Sequence, residues 1–299
     1  MTALVSVVIT TVGNEYVYRS IEKVLNQSYK NIEILVMYDG DNFKQFKTDF
    51  EGKEYITAQL FNVGPFNNAN HARNRGIELS KGNYVALLDD DDFWDVDHIE
   101  NLVNHSKKIS NDRVLLITGS KVYSEKKGVI KKIPAKTYLN NRRDISKILF
   151  CENGFMQTSS YFFTKKLGED IKFDENLRMH QDYDWLIKIQ NSDLDIYVKQ
   201  LNIYTNYYSA DANNSSVSKK SKINCSVKWC LKNIKDTYIR YCFLKNVTCN
   251  FTASSSFKDL INFYSLVFFR LDIGLSCKIV VVLKSIRLFI KSFLKNVFK

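Results

Sequence analysis

Four consecutive aspartates, Asp89–Asp92, have the clearest chemical meaning in the sequence. They follow the apolar run NYVALL at 83–88 and precede Phe93 and Trp94. Adjacent carboxylates repel one another, so the run is costly unless a positive charge neutralises it. A hard divalent cation, bound by one or two carboxylates and by diphosphate oxygens, would do so and would stabilise a departing diphosphate. A solvated acidic loop is the other interpretation, and the position at the end of an apolar run favours the metal site.

Two further polar residues could bind a nucleotide. Asp39 ends the apolar run IEILVMY at 32–38, where its carboxylate could accept a hydrogen bond from a nucleobase, although Asp-Gly pairs are also common in turns. Arg73, in ARNRG at 72–76, could bind a diphosphate or hold an acid in place. A solvent-facing arginine on a helix is the simpler interpretation of that residue.

A further acid lies among aromatic residues in QDYDW at 181–185. Burial beside apolar rings raises the pKa of a carboxyl group, which suits a general base at neutral pH. Acids at the start of a helix are also favoured by the helix dipole. The segment by itself leaves both interpretations open.

These residues need a scaffold that brings strand ends together. The chain opens with a β-branched run at 4–10, a helical pattern at 15–28 and a second apolar run at 32–38, which is the beginning of a parallel α/β sheet. Ligands bind such sheets where the strands end. Further strands are predicted near 57–61, 83–88, 113–118 and 129–133, with helices at 71–80 and 182–191.

Charge is distributed unevenly over the 299 residues, whose formal net charge is +11. Residues 218–299 contain 16 Lys and Arg against three acids, whereas residues 1–217 contain 27 bases and 29 acids. A uniformly basic surface would indicate nucleic acid, but a basic, apolar tail indicates an anionic membrane surface. We therefore predict a catalytic domain at 1–217, with halves at about 1–95 and 96–217, and a membrane-associating helical tail at 218–299, with no nucleic-acid partner.

The end of the tail has an amphipathic pattern. Its bases recur every three or four residues, at Lys284, Arg287, Lys291, Lys295 and Lys299, so they share one helical face. A helix lying in the plane of an anionic membrane has this pattern. A helix packed on the catalytic domain is the alternative, and the charges that interrupt 260–283 disfavour a membrane span.

Cysteine usage and the N-terminus point to the cytoplasm. Five of the six cysteines lie in the last quarter, and none forms a Cys-x-x-Cys pair, so a zinc site is not expected. The N-terminus enters a strand directly and lacks the pattern of a secretory signal.

Taken in order, these segments resemble the family 2 glycosyltransferases, whose catalytic domain has the GT-A fold, a Rossmann-like, mainly parallel sheet flanked by helices. The resemblance covers roughly residues 4–210. It is carried by LNQSYKNIEI at 25–34, by ANHARNRGIELSKGNYVALLDDDDFW at 69–94 and by FDENLRMHQDYDWLIKI at 173–189.

For the donor, the resemblance implies that Thr10 and Asp39 contact the uracil and that Arg73 lies near the nucleotide or its diphosphate. Asp89 and Asp91 correspond to the family's Asp-x-Asp pair, with Asp91 the more direct ligand of Mn²⁺ or Mg²⁺. The resemblance also assigns Asp89 and the adjoining Asp90 to donor binding.

On the acceptor side, the resemblance implies that Asp182 is the catalytic base and that Asp92, Trp94 and Gln181 orient the donor sugar or the acceptor. The sequence departs from the family pattern at Gln181, where a Glu is usual. It also departs at 11–14 and at Tyr38, where the family usually has the first of two acids. None of these departures removes a residue that the mechanism needs.

The activity implied is inverting transfer of a hexose, glucose or galactose, from a UDP-sugar to N-acetylglucosamine or N-acetylgalactosamine on a polyprenyl diphosphate. The product is β-linked and belongs to O-antigen or another surface polysaccharide, made at the cytoplasmic face of the bacterial inner membrane by a peripheral enzyme. A nucleotidyltransferase or dinucleotide oxidoreductase would need a glycine-rich phosphate loop, which TTVGNEY at 10–16 does not supply. A non-catalytic, membrane-associated protein that binds nucleotide or carbohydrate is the remaining alternative.

Overall fold

The chain forms two compact units in the computed structural model. Unit 1 comprises Met1–Ile145 and Phe155–Asp211, and unit 2 comprises Ser146–Gly154 and Ala212–Lys299. The predicted domain boundary at 217/218 falls within 209–222, outside the described residues. The structure describes residues 2–53, 57–124, 128–133, 139–152, 154–208, 223–254, 256–269 and 271–297.

Unit 1 begins with parallel strands that alternate with helices. The first four strands lie side by side in the order β3-β2-β1-β4, so β1 is flanked by the two strands whose ends carry Asp39 and Asp89. Strands β1, β2 and β4 are largely buried, as their continuous apolar sequences require. The elements are β1 (Val5–Thr11), α1 (Tyr16–Leu25), β2 (Ile32–Tyr38), α2 (Phe43–Glu51), β3 (Gln59–Asn62), α3 (Ala69–Leu79) and β4 (Tyr84–Asp89).

Helices cover both faces of these strands. Val5, Val7 and Ile9 belong to a buried cluster with side chains of α1 and α2. Side chains alternate along a strand, so Val8 faces the other way, toward α3. A Cβ on Gly76 would lie 2.3 Å from Val8 Cγ1, and glycine at this position therefore lets α3 approach β1 closely. This approach places the ARNRG segment against the sheet.

The second half of unit 1 extends the sheet with mixed pairing. β8 is antiparallel to both β4 and β6, while β9 runs parallel to β6 and carries the short β5 on its other side. The sequence pattern did not predict α2, α4 or β9. The elements of this stretch of the chain are β5 (Phe93–Trp94), α4 (His98–Ser106), β6 (Val114–Ser124), β7 (Gly128–Ile133), α5 (Ile145–Cys151, most of which belongs to unit 2), β8 (Tyr161–Thr164), α6 (Lys165–Asp170), α7 (Gln181–Asn191) and β9 (Tyr197–Tyr208).

The described strands thus form one sheet of nine strands, in the order β3-β2-β1-β4-β8-β6-β9-β5, with β7 paired to β6. The half formed by β1 to β4 is parallel and the other half is mixed. The predicted α/β architecture, a mainly parallel sheet flanked by helices, is confirmed.

Unit 2 is helical, as predicted for the tail. Its apolar core includes Val227, Leu244, Phe263, Val267 and Val281, which come from four helices. Among the helices that the structure describes, none is long and apolar enough to cross a membrane. In addition to most of α5, the helices are α8 (Ile223–Asn233), α9 (Thr237–Asn246), α10 (Phe257–Phe269) and α11 (Leu275–Val297).

Candidate active site

The four aspartates form a turn at the end of β4. Asp89 is the last residue of the strand, and the backbone N–H of Asp92 donates to the Asp89 carbonyl at 3.1 Å. Asp89, Asp90 and Asp91 are partly exposed, whereas Asp92 is 1% exposed. The run is therefore not a solvated loop, because its carboxylates are partly or wholly withdrawn from water.

Asp89 is held on both carboxylate oxygens. Arg73 Nη2 donates to its Oδ1 at 2.9 Å, and the Thr158 hydroxyl donates to its Oδ2 at 2.8 Å. The Asp89 backbone N–H donates to the Ser159 hydroxyl at 3.0 Å. The Thr10 hydroxyl lies 3.5 Å from Asp89 Oδ1, next to it across the parallel pair β1–β4.

Asp90 and Asp91 carry charge that the protein only partly compensates. The pKa of Asp90 is raised to about 7, mainly because the carboxyl group is buried. A 2.5 Å hydrogen bond from the Thr11 hydroxyl opposes this rise, and the negative charges of Asp91 and Asp89 add to it. Burial and the charge of Asp89 raise the pKa of Asp91 to about 6, while Arg19 lowers it. Arg19 also donates to the Asp91 backbone carbonyl at 2.7 Å.

Two residues assigned to sugar orientation lie in the interior. Asp92 Oδ2 accepts from Gln157 Nε2 at 3.3 Å. Trp94 is 2% exposed, stacks on His98 with ring centroids 5.0 Å apart, and donates from Nε1 to the Ser159 carbonyl. The structure does not bring Asp92 or Trp94 to the surface of the site.

Asp39 lies at the end of β2, as predicted, and is 5% exposed. Its two carboxylate oxygens accept from the backbone N–H groups of Asn67 and Asn68, each at 2.9 Å. These bonds hold the loop that precedes α3, in which Phe66 and Asn68 have positive φ angles of 52° and 134°. The carboxylate therefore organises a loop at the strand ends, and only its remaining lone pairs could accept from a nucleobase.

Arg73 does not face solvent, since it is 4% exposed. Besides Asp89, its guanidinium donates to Thr158 Oγ1 at 3.1 Å, to Asn70 Oδ1 at 3.2 Å and to Gln181 Oε1 at 3.3 Å. Of the sequence-based interpretations, the structure favours an arginine that holds an acid in place.

Asp182 lies in the first turn of α7, directly after Gln181. Burial raises the pKa of Asp182 to about 6. The positive charge of Arg73 opposes this rise, Asp89 adds to it, and a hydrogen bond from the Thr158 backbone N–H opposes it. A carboxyl group with this pKa is largely ionised at neutral pH and can accept a proton, as a general base must.

Several residues around the carboxylates were not identified from the sequence. They include Thr11 and Arg19, and the segment Gln157–Ser160, which contacts Asp89, Asp92 and Trp94. The only sequence signal for this segment is that hydroxyl residues interrupt an aromatic run at 155–164.

Comparison with known proteins decides which family has this arrangement. The profile of the family described as Glycosyl transferase family 2 matches residues 6–166, more than half of the 299-residue chain. The protein belongs to glycosyl transferase family 2. The resemblance proposed from its motifs is therefore confirmed.

Curated relatives of this glycosyltransferase include enzymes of bacterial polysaccharide synthesis. It is 30% identical over 182 residues to the amylovoran biosynthesis glycosyltransferase AmsB of Erwinia amylovora, a match covering 59% of this chain and 60% of AmsB. It is 28% identical over 184 residues to the putative colanic acid biosynthesis glycosyl transferase WcaA of Escherichia coli strain K12, covering 57% and 60% of the two chains. The chain thus spans about three fifths of the length of these relatives.

Solved structures show the same fold. Staphylococcus aureus TarS 1–349 in complex with UDP-GlcNAc matches with a TM-score of 0.66 and 14% identity, covering 97% of this chain and 90% of that one. The mannosyltransferase PcManGT of Pyrobaculum calidifontis, in complex with GDP-Man and Mn²⁺, matches with a TM-score of 0.57 and 14% identity, covering 99% and 88%. The predicted GT-A fold is confirmed.

The acidic turn of this glycosyltransferase fits a divalent cation that takes few protein ligands. Within the described residues, no three His, Cys, Asp or Glu side chains gather into a metal cage. Asp89, Asp90 and Asp91 nevertheless lie on one turn, and their mutual repulsion contributes to the raised pKa of Asp90 and Asp91. Mg²⁺ and Mn²⁺ accept carboxylate oxygens and need only one or two when a diphosphate supplies others.

Proposed function

We propose that this enzyme transfers a hexose, glucose or galactose, from a UDP-sugar to a hydroxyl of N-acetylglucosamine or N-acetylgalactosamine on a polyprenyl diphosphate. The transfer inverts the anomeric carbon and gives a β-linkage. The observation that carries the proposal is the position of Asp182, a carboxylate with a raised pKa beside the Arg73–Asp89 ion pair at the strand ends. General base and diphosphate-binding acids then meet at one place.

Asp182 acts on the acceptor. Its carboxylate removes the proton of the acceptor hydroxyl as that oxygen attacks the anomeric carbon, and the bond to the nucleoside diphosphate breaks on the opposite side. One displacement of this kind inverts the anomeric configuration. Gln181, which accepts from Arg73 and donates to the Leu177 carbonyl at 2.8 Å, holds the first turn of α7 and so helps to orient the base.

The donor binds across the ends of β1, β2 and β4. Asp91 and Asp89 would hold Mn²⁺ or Mg²⁺, whose positive charge would stabilise the departing diphosphate. Thr10 lies near the end of β1, and the loop that Asp39 holds lies beside the end of β2. Both would flank the nucleoside. Asp90 lies on the same turn as Asp89 and Asp91, and Arg73 holds the Asp89 carboxylate through its hydrogen bond.

The relatives support the substrate class. AmsB and WcaA are named for amylovoran and colanic acid biosynthesis, which favours a surface polysaccharide such as O-antigen as the product. TarS is in complex with UDP-GlcNAc and PcManGT with GDP-Man, so proteins with this fold bind nucleotide sugars.

The experiment is transfer from a panel of labelled UDP- and GDP-sugars, with Mn²⁺, to polyprenyl-diphosphate-linked N-acetylhexosamines. We expect transfer from UDP-glucose or UDP-galactose and a β-linkage in the product. Transfer with retained configuration would contradict the single-displacement mechanism. Binding of UDP without transfer from any donor would favour a non-catalytic binding protein instead.

The ionisation of Asp182 predicts a pH dependence. Because the pKa of Asp182 is raised to about 6, the basic form predominates above that pH, and protonation removes the base below it. The charged and titratable groups that act on it are Arg73, Asp89, Tyr161 and Tyr183. We expect kcat/KM to fall about tenfold per pH unit below pH 6, measured with saturating Mn²⁺. A profile that is flat down to pH 5 would contradict a catalytic base whose pKa is raised to about 6.

We further propose that α11 attaches the enzyme peripherally to the cytoplasmic face of the bacterial inner membrane. Val281 and Ser285 are fully buried and turn one face of α11 toward the core of unit 2. The opposite side exposes an apolar stripe in which Leu283 is 61% exposed. Arg287 and Lys291 line the same groove as this stripe, which continues along the helix through Ile286, Ile290 and Leu294.

This combination matches an anionic bilayer, since the apolar side chains can enter the headgroup region while the bases contact lipid phosphates. Five bases were predicted to share one face of this helix. Of these, Lys284 is only partly exposed and its Nζ lies 3.5 Å from Asn246 Oδ1. The side chain of Lys295 and the residue Lys299 lie outside the described part of the structure.

Reversing two charges of α11 tests the membrane surface. The double variant Arg287→Glu/Lys291→Glu should weaken binding to phosphatidylglycerol vesicles at least about tenfold, since each base near an anionic surface contributes about 1 kcal/mol. Lys232→Glu/Lys235→Glu makes the same charge change at exposed positions of unit 2 and should weaken binding much less. Equal losses in a vesicle sedimentation assay would mean that only net charge matters, and no loss would refute the surface.

A further inference from the structure

The side chain of Thr158 lies at the centre of the hydrogen bonds that connect the two functional carboxylates. Thr158 is 1% exposed and precedes β8 in the segment Gln157–Ser160. Its hydroxyl donates to Asp89 Oδ2 at 2.8 Å and accepts from Arg73 Nη2 at 3.1 Å. The same Arg73 nitrogen donates to Asp89 Oδ1 at 2.9 Å. The three groups thus close a ring of hydrogen bonds. Because the Thr158 hydroxyl accepts from Arg73, its own proton must point to Asp89.

Two contacts connect this ring of hydrogen bonds with Asp182, the proposed base. Arg73 Nη1 donates at 3.3 Å to Gln181, the residue before Asp182. The backbone N–H of Thr158 itself points to the Asp182 carboxylate. A change in the position of residue 158 is therefore felt both at the acid that faces the donor diphosphate and at the base that faces the acceptor.

The surrounding segment keeps Thr158 in place. Ser159 Oγ accepts from the Asp89 backbone N–H at 3.0 Å, and the Ser159 carbonyl accepts from Trp94 Nε1 and from the Thr205 hydroxyl, each at 3.0 Å. Gln157 donates to Asp92 at 3.3 Å. These bonds attach the segment to the acidic turn through both backbone and side chains.

We propose that Thr158 is a positioning residue, whose hydroxyl fixes the orientation of the Asp89 carboxylate and of Arg73 and thereby aligns the metal–diphosphate site with the base. The inference rests on the proposed function. The hydroxyl acts through Asp89 and Arg73 and makes no contact with substrate. Without it, Asp89 Oδ2 loses its donor and Arg73 Nη2 loses an acceptor inside a largely buried network, where such losses are costly.

The test compares Thr158→Val, which keeps the shape of the side chain and removes the hydroxyl, with Thr158→Ser, which keeps the hydroxyl. Partners that orient metal ligands typically contribute 10–100-fold, so we expect Thr158→Val to lower kcat and Mn²⁺ affinity each by about that factor. The KM for the UDP-sugar should change much less than kcat. Thr158→Ser should restore both quantities to within a few-fold of wild type.

Two readouts are needed. One is steady-state transfer, and the other is Mn²⁺ binding in the presence of UDP, followed by loss of the electron paramagnetic resonance signal of free Mn²⁺. The second does not require turnover, so it tests Thr158 even if the donor or acceptor has been assigned wrongly. No transfer by the wild type would count against the proposed function alone.

Thr248→Val is the matched control. Thr248 is 0% exposed, and its hydroxyl lies 3.0 Å from that of Ser226 within unit 2, so this variant also removes a buried threonine hydroxyl, but from a unit that does not contain the segment Gln157–Ser160. A comparable drop in Tm with unchanged kcat and Mn²⁺ affinity is expected. Wild-type behaviour of Thr158→Val in both assays, or equal loss in Thr248→Val and Thr158→Val, would overturn the proposal.

Discussion

Replacing Asp182 by asparagine is expected to lower kcat about 10²–10⁴-fold, the usual contribution of a positioned general base. Asparagine has nearly the same shape but cannot accept the proton of the acceptor hydroxyl. Donor binding should change little, because Asp182 lies on α7 and the predicted diphosphate ligands lie on the turn after β4. Steady-state kinetics, together with calorimetric titration of UDP in the presence of Mn²⁺, would separate the two effects.

The control for this variant is Asp193→Asn, which removes one carboxylate from an exposed position just beyond the end of α7. It should behave as wild type. If Asp182→Asn kept more than a tenth of wild-type kcat, another group would have to act as the base. If it lost UDP affinity as strongly as turnover, Asp182 would belong to the donor site.

Asp91→Asn is the second change for which we expect a large effect. Asp91 is one of three partly exposed acids of the turn. Its negative charge is stabilised only by its own backbone N–H and by the nearby positive charge of Arg19. A metal ion contributes several kcal/mol to stabilising a departing anion, so its loss should lower kcat/KM on the order of 10²–10³-fold. Mn²⁺ binding in the presence of UDP should weaken in parallel.

Treatment of the wild type with EDTA should give the same loss, and added Mn²⁺ should reverse it for the wild type but not for Asp91→Asn. Asp97→Asn is the matched control, because Asp97 is an exposed acid in the same region and caps α4 without a side-chain hydrogen bond. Full activity of the wild type in EDTA, or an Asp91→Asn variant with normal Mn²⁺ affinity, would contradict a metal at this turn.

The position of Arg73 changes how the donor site is understood. From its motif, this residue was expected near the nucleotide or its diphosphate. In the structure it is 4% exposed and its guanidinium is shared among Asp89, Thr158, Asn70 and Gln181. Its positive charge therefore acts first on Asp89, and it also opposes the effect of burial, which raises the pKa of Asp182.

Two asparagines of α3, the helix that contains ARNRG, also hold a neighbouring segment in place. Asn74 Nδ2 donates to the Phe173 carbonyl at 3.0 Å and its Oδ1 accepts from the Phe173 N–H at 3.0 Å, while Asn70 donates to the Asp174 carbonyl at 2.7 Å. Both asparagines are buried. They hold the FDEN segment that leads to α7, so the helix before the acidic turn also positions the element that carries Asp182.

The sequence by itself determined the family and the parallel α/β half of the sheet, and it predicted the carboxylates of the candidate site. Apolar runs with helical or strand periodicity report the local elements, and aspartates at the ends of strands necessarily meet at one edge of a parallel sheet. Motif spacing carries this information because it is local in the chain.

Only the tertiary structure decided which of these residues are free to meet a ligand. Asp92 and Trp94 are turned into the interior, Asp39 is engaged by a loop, and Arg73 is buried behind Asp89. These outcomes depend on partners far away in the chain: Thr158 lies 69 residues from Asp89, and Gln181 lies 108 residues from Arg73. Hydrogen-bond partners at such separations are chosen by how strands and helices pack, which no local pattern of residue types records.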